Sequence, residues 1–198
     1  LLGPYSNNMV LGIYSPFENF KGRRIVKTVR DIDIAPTLLD LLNMKIPDSF
    51  RGYSLVPVMR GADFPGYPAY METGLWHTPT TPFIDDKTRL PYPHIIQILG
   101  IQMPSGWIYL KEKYDHRVNQ AKYKALQLNE KKYIYMPGNS SYREEFLIHE
   151  KPIDKEEIND PQFLSFKQRM VDMFKEKFYI DENGFIREYE TDIAPHSR

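Results

Sequence analysis

The stretch Ala121-Lys-Tyr-Lys-Ala-Leu-Gln-Leu-Asn-Glu-Lys-Lys-Tyr-Ile-Tyr-Met-Pro137 decides the fold class. Two runs rich in strand formers, residues 123–128 and 132–136, flank Asn129-Glu130, a tight-turn pair. The pattern predicts an antiparallel hairpin with one wet face, and residues 107–110 and 146–149 read as further strands. Downstream, Asp160-Pro161 is a cap-plus-proline helix start. Phe163, Phe166, Met170, Phe174 and Phe178 then recur at three- and four-residue steps, so the spacing predicts a helix over 162–178 with one face on the sheet. Asp181-Glu182-Asn183-Gly184 is a turn, and residues 185–189 extend from it as an edge strand. The fold class is α+β: a small antiparallel sheet with a C-terminal helix packed on it.

Working backwards, the chain changes character. Residues 1–99 hold 19 charged residues and 11 prolines, whereas residues 100–198 hold 33 and 5, which places a boundary near residue 80. The division is a late segment of an α/β core over 1–80 and a C-terminal subdomain over 81–198. Met9-Val-Leu-Gly-Ile-Tyr14 is almost wholly apolar and reads as a strand buried on both faces. Asp33 precedes Ile34-Ala-Pro-Thr-Leu-Leu-Asp-Leu-Leu42, which reads as a helix capped by Asp33, with Pro36 in its first turn. Its apolar stripe is Ile34, Leu38, Leu41 and Leu42, and Asn43 is a left-handed stop. Residues 43–92 are punctuated by Pro and Gly and read as loop, with a short helix over 93–99. The stretches 1–17 and 90–110 lack Asp, Glu, Lys and Arg. Their prolines and glycines break them too often for a bilayer-spanning helix, and both read as buried segments.

Composition narrows the function. Twenty-six basic residues balance 26 acidic ones, which argues against a globally basic nucleic-acid binder. With no cysteine, the chain has no thiolate ligand, cysteine nucleophile or disulfide. The opening Leu1-Leu2-Gly3, without a methionine, reads as the continuation of something longer. The five histidines are far apart and show no ligand spacing, and no phosphate-binding glycine loop is present. No catalytic residue and no metal ligand is assigned within the chain.

Two features carry candidate chemistry. Lys21, Arg23, Arg24, Lys27 and Arg30 form a basic cluster, with Arg23 and Arg24 as candidate grips for a phosphate or sulfate ester. The alternative is a solvated strand edge with Asp31 and Asp33 as local partners. Glu72, Trp76 and His77 lie in or beside an uncharged, proline-flanked loop and are candidate pocket residues. Asn139-Ser140-Ser141 matches the glycosylation sequon, a short and frequent pattern.

The segment from Val29 to Leu42 resembles one of the sulfatase family, within the alkaline phosphatase superfamily. There the pattern runs Asp-Ile-x-Pro-Thr-Leu-Leu, then a proline, then Gly-x-Ser-Leu-x-Pro. Here Asp33, Pro36, Thr37, Pro47 and Gly52-Tyr53-Ser54-Leu55-Val56-Pro57 stand in that order, followed by Gly61 and Glu72. Val10-Leu-Gly-Ile-Tyr-Ser-Pro16 is similar to a family strand, with Leu11 in place of its usual proline. The hairpin of 121–137, Phe146-Leu-Ile148 and the helix after Asp160-Pro161 are similar to the family's small C-terminal sheet and closing helix.

The resemblance implies a parent enzyme that hydrolyses sulfate esters, with phosphate or phosphonate esters as the alternative chemistry. It further implies a formylglycine nucleophile and a divalent metal, usually calcium, both upstream of this chain. The expected partner is then the N-terminal catalytic portion of the parent protein, with self-association of the chain also open. By family analogy the location is periplasmic or secreted. The competing class is a non-catalytic module that binds an anion or a partner.

Overall fold

The structure is a computed structural model that describes Leu2 and residues 9–16, 20, 22, 24–74, 90 and 93–189. In chain order, a 3₁₀ turn (Asp31–Asp33) leads into α1 (Ile34–Leu41), followed by α2 (Val56–Met59) and β1 (Ala69–Glu72); a second 3₁₀ turn (Lys155–Glu157) comes later, before the C-terminal helices. Next come α3 (Ile95–Ile98), β2 (Leu99–Gln102), β3 (Trp107–Leu110) and α4 (Glu112–Ala121). The rest of the sheet follows as β4 (Lys124–Leu128), β5 (Lys131–Pro137), β6 (Tyr142–Ile148) and β7 (Lys151–Ile153). The chain closes with α5 (Pro161–Leu164), α6 (Phe166–Asp172), β8 (Phe178–Ile180) and β9 (Ile186–Glu188). The fold is mixed α+β.

The main sheet is antiparallel throughout, in the order β1-β4-β5-β6-β7. The predicted hairpin is β4–β5, and Asn129 makes its turn with φ 55°. Asn129 also holds the first half of the chain to the sheet. Its side-chain oxygen accepts from the Thr28 N–H at 3.1 Å, and its amide nitrogen donates to the Pro65 carbonyl at 2.9 Å. The sheet draws β1 from before residue 80, a strand the loop-like composition of 43–92 concealed.

One face of the sheet packs on the C-terminal helices. Leu126, Tyr133, Tyr135 and Phe146 meet Phe163, Phe166, Met170 and Phe178 in a closed core. The rings pack edge to face, as for Phe146–Phe163 at 5.3 Å and Phe163–Phe166 at 5.1 Å. Asp160 caps α5 by accepting from the Gln162 N–H at 2.8 Å, as its sequence signature predicts. The helix is not continuous to Phe178, however. It breaks at Ser165 and ends at Asp172, and Phe178 reaches the core from a strand. A core position constrains where a side chain points and leaves open which element carries it.

The opposite face of β4–β6 is also covered. Ala125, Ile134, Met136 and Leu147 pack with Leu2, Met71 and Tyr123, so the expected wet face is absent here. Three other expectations give way. Residues 9–14 form no strand, and Met9, Val10 and Tyr14 stand in solvent, since no described strand runs beside them to take up their backbone hydrogen bonds. In α1 the buried residues are Pro36 and Thr37, while Leu38 and Leu42 are exposed. In the run 90–110, which reads as buried, β2 and β3 form a two-stranded ribbon with exposed apolar side chains. Among the described residues no helix is long and apolar enough to cross a membrane.

Phe163 is fully buried where the sheet meets the helices. Phe163→Ala is expected to cost about 3–5 kcal/mol, read as a lowered urea midpoint with an unchanged slope. A loss below about 1 kcal/mol would show that this helix face does not hold the fold.

Candidate functional site

Two segments of the first half are bolted together around Asp33. Its carboxylate is buried and accepts from the Arg30 N–H at 2.9 Å, from the Arg30 guanidinium at 2.7 and 3.1 Å, and from the Tyr53 N–H at 2.9 Å. The side chain makes no cap bond to α1, so the sequence singles out the right residue for the wrong partner. The Arg30 guanidinium lies 5.3 Å from the Tyr53 ring centroid and 4.8 Å from that of Tyr67. Thr37 Oγ1 donates to the Asp33 carbonyl at 2.6 Å and accepts from the Leu55 N–H at 2.9 Å. Ser54 donates to the Asp40 carboxylate. Gly52 makes the approach possible, because a Cβ there would sit 1.9 Å from the Ile32 carbonyl oxygen.

Beside this latch, residues 9–13 and 24–32 face the sheet edge at β1 across an open cleft of about 1350 Å³. Its walls are largely apolar, with Ile25, Met59, Met71 and Phe174 among the lining residues. Arg24, Lys27 and Arg51 supply cationic groups, and Glu72 supplies a carboxylate. Arg24 and Glu72, predicted separately, therefore line the same cleft. Arg23, Trp76 and His77 lie outside the described residues.

Glu72 belongs to a charged cluster at the sheet edge. Its register partner is Lys124 on β4, so both side chains lie on the helix-facing side. The Tyr70 hydroxyl donates to Glu72 at 3.0 Å, and Lys122 pairs with it at 3.3 Å. Burial works against the Glu72 carboxylate, but Lys122 and Tyr70 outweigh it and hold its pKa below the ordinary value. Burial, with Glu72 next, raises the Tyr70 pKa and keeps the phenol neutral.

Lys124 is the unusual member. It is 2% exposed, donates to the Asn119 and Lys122 carbonyls at 3.2 and 3.3 Å, and lies 5.2 Å from the Phe178 ring centroid. Burial pushes its pKa down to about 8, against the pull of Glu72 and Glu188. Glu188 pairs with Lys177 at 3.3 Å through one oxygen, and its other oxygen is buried without a hydrogen-bond partner. The ammonium is too enclosed to meet a substrate, so the cluster orders the cleft wall. The sequence reading omits Lys122, Lys124 and Glu188. A signal for Lys124 exists, since it shares the alternation of Leu126 and Leu128 and so points inward.

The described residues do not fit a calcium site. No group of three His, Asp or Glu among them is placed around a common point. Asp31, Asp33 and Asp40, the acidic residues of the motif region, already accept from protein donors.

No protein-family model matches this sequence, and no curated protein matches it. Among solved structures, the phosphonate monoester hydrolase SpPMH from Silicibacter pomeroyi is similar, with 14% identity and a TM-score of 0.36. That similarity covers 79% of this chain and 28% of the other.

Two outcomes follow from the geometry. Gly52→Ala is expected to cost about 1–3 kcal/mol by forcing the latch apart, whereas Gly12→Ala, with open space around it, stays within about 0.5 kcal/mol. Equal effects in urea melts would remove the latch as a structural constraint. For Lys124, the folded pKa lies near 8 and the ordinary value is 10.5, so between them the unfolded chain binds more protons. Stability therefore rises from about pH 8 toward pH 10. Above that the sign reverses, because Tyr70, Tyr133 and Tyr135 are held neutral by burial while their unfolded counterparts ionise. Lys124→Met is expected to flatten the rise, and a flat wild-type profile would contradict the burial argument.

Proposed function

We propose that this chain is the C-terminal part of a sulfatase-like hydrolase that cleaves sulfate esters. The observation that carries the reading is the latch. The two separated segments on which the sequence resemblance rests, around Asp33-Pro36-Thr37 and Gly52-Tyr53-Ser54-Leu55, are hydrogen-bonded to each other through Tyr53 to Asp33, Leu55 to Thr37 and Ser54 to Asp40. Motif parts that answer one another physically support reading them as one structural unit.

In this proposal the nucleophile, a formylglycine, and the divalent metal belong to residues upstream of this chain. The chain supplies late elements of the core over 1–80 and the C-terminal subdomain over 81–198. Arg24 attracts the anionic ester and Glu72 shapes the cleft wall, while Arg23, Trp76 and His77 are candidates from the sequence alone. The N-terminal catalytic portion is the partner against which this chain packs.

The reading is tested on the protein with its upstream residues, by turnover of 4-nitrophenyl sulfate and by peptide mass mapping for formylglycine. The expected result is sulfate ester cleavage, and Arg24→Glu lowers kcat/KM about tenfold without altering the urea midpoint. Preference for a phosphate or phosphonate ester would replace the sulfate assignment. Metal-dependent turnover by the 198-residue chain alone, lost in Glu72→Gln, would overturn the division of labour.

A further inference from the structure

The turn between β8 and β9 carries chemistry that neither the latch nor the cleft uses. Asp181-Glu182-Asn183-Gly184 contains the one Asn-Gly pair in the sequence. Asp181 is the hub of this turn. Its main-chain carbonyl accepts from the Gly184 N–H at 2.9 Å. Its carboxylate accepts from the Asn183 N–H at 3.0 Å, the Phe185 N–H at 2.8 Å and the Arg187 guanidinium at 2.8 Å. Gly184 has φ 81°, and a Cβ there would lie 2.5 Å from the Tyr142 hydroxyl oxygen, so the turn demands glycine. Asn183 itself is exposed, and its side-chain amide has no hydrogen-bond partner among the described residues. Asn129 shows the opposite arrangement, with its amide held by Thr28 and Pro65 and a glutamate next in the chain.

We propose that Asn183 is a site of self-modification, converted by water to aspartate and isoaspartate without an enzyme, at a rate set by the opening of this turn. Asparagine is a thermolabile residue. Glycine after it leaves the attacking main-chain nitrogen unshielded by any side chain. The Gly184 nitrogen gives its proton to hydroxide and attacks Asn183 Cγ. The new N–Cγ bond closes a cyclic imide, the Cγ–Nδ2 bond breaks, and the amide nitrogen takes a proton from water and leaves as ammonia. Water then opens the imide at either carbonyl. Opening at Cγ gives aspartate on the original main chain, and opening at the main-chain carbon gives isoaspartate, with the chain rerouted through Cγ. A water is consumed, an ammonia is released, and nothing is oxidised or reduced.

The Gly184 N–H must leave the Asp181 carbonyl before it can react, so the turn opens first. Strands β8 and β9 have three residues each, and short peripheral pairs open locally well before the core. Two side chains oppose that opening. Arg187 braces the Asp181 carboxylate, and the Tyr135 hydroxyl accepts from the Ile186 N–H at 3.1 Å. Both are positioning residues that act through the turn. Either product adds a carboxylate beside Asp181 and Glu182. Isoaspartate also lengthens the main chain by a methylene inside the turn, so the Ile180↔Ile186 register no longer closes.

The test is incubation of the full chain in mildly alkaline heavy-oxygen water, followed by peptide mass mapping that resolves aspartate from isoaspartate. The comparator is Asn139, which is also exposed but precedes serine. Labelled product is expected at Asn183 ahead of Asn139 in the same sample, rising with hydroxide concentration and absent in Asn183→Gln. Arg187→Ala should raise the ratio of Asn183 to Asn139 conversion about fivefold. Tyr135→Phe, which leaves the local charge alone, should raise it in the same direction. General destabilisation would speed both sites and leave the ratio unmoved. The proposal is overturned if Asn183 converts no faster than Asn139, or if both variants keep the wild-type ratio.

Discussion

The burial of β5 on both faces is the constraint from which the rest of the structure follows. Tyr133 and Tyr135 point into the helix-facing core, while Ile134 and Met136 point into the opposite one. The strand also lies in the middle of the sheet, with β4 and β6 pairing on either side. It requires two covering layers. The helices α5 and α6 form one, and Leu2, Met71 and Tyr123 contribute to the other. The polar ends of the buried tyrosines are then used as ties. Tyr133 donates to Glu144 at 2.8 Å, and Tyr135 accepts from the Ile186 N–H at 3.1 Å, which fastens the β8–β9 pair to the sheet.

The same logic explains the charged groups under the sheet edge. Lys124 occupies an inward position on β4, so its ammonium is carried into the layer between the strands and Phe178. Burial of a cation is tolerated there because two carbonyls accept from it and Glu72 and Glu188 stand nearby. The Asp33 latch is a second buried charge with a different solution. Asp33 has a paired guanidinium and two backbone donors, so it is fully answered within its own neighbourhood. One charge stiffens the motif region, and the other ties the sheet edge to the C-terminal strands.

Much of the second half was legible from side-chain period alone. The β4–β5 hairpin, its Asn129 turn, β3, the Asp160 cap and the Phe163-Phe166-Met170 face follow from alternation, turn chemistry and helical spacing. These signals are local, because the residues that read each other are near in sequence. The candidate site was legible only in part. Arg24 and Glu72 can be named from composition, but their shared cleft depends on how residues 24–32 lie across β1. Lys122 and Glu188, far apart in the chain, enter the same cluster through the fold.

By itself the sequence determines the α+β class and the principal strands and helix starts, whereas the hydrogen bonds that join Asp33 and Thr37 to the residues after Gly52 are tertiary. The class and the element starts depend on backbone propensity, period or a short-range cap, all of which act over a few residues. Only the tertiary structure decided which apolar residues are buried. Leu38, Ile101, Ile108 and Trp107 are as apolar as Leu126 or Phe163, yet the former stand in solvent and the latter are enclosed. Burial is a property of what lies on the other side of a surface, and an apolar side chain carries no information about whether a neighbouring layer reaches it.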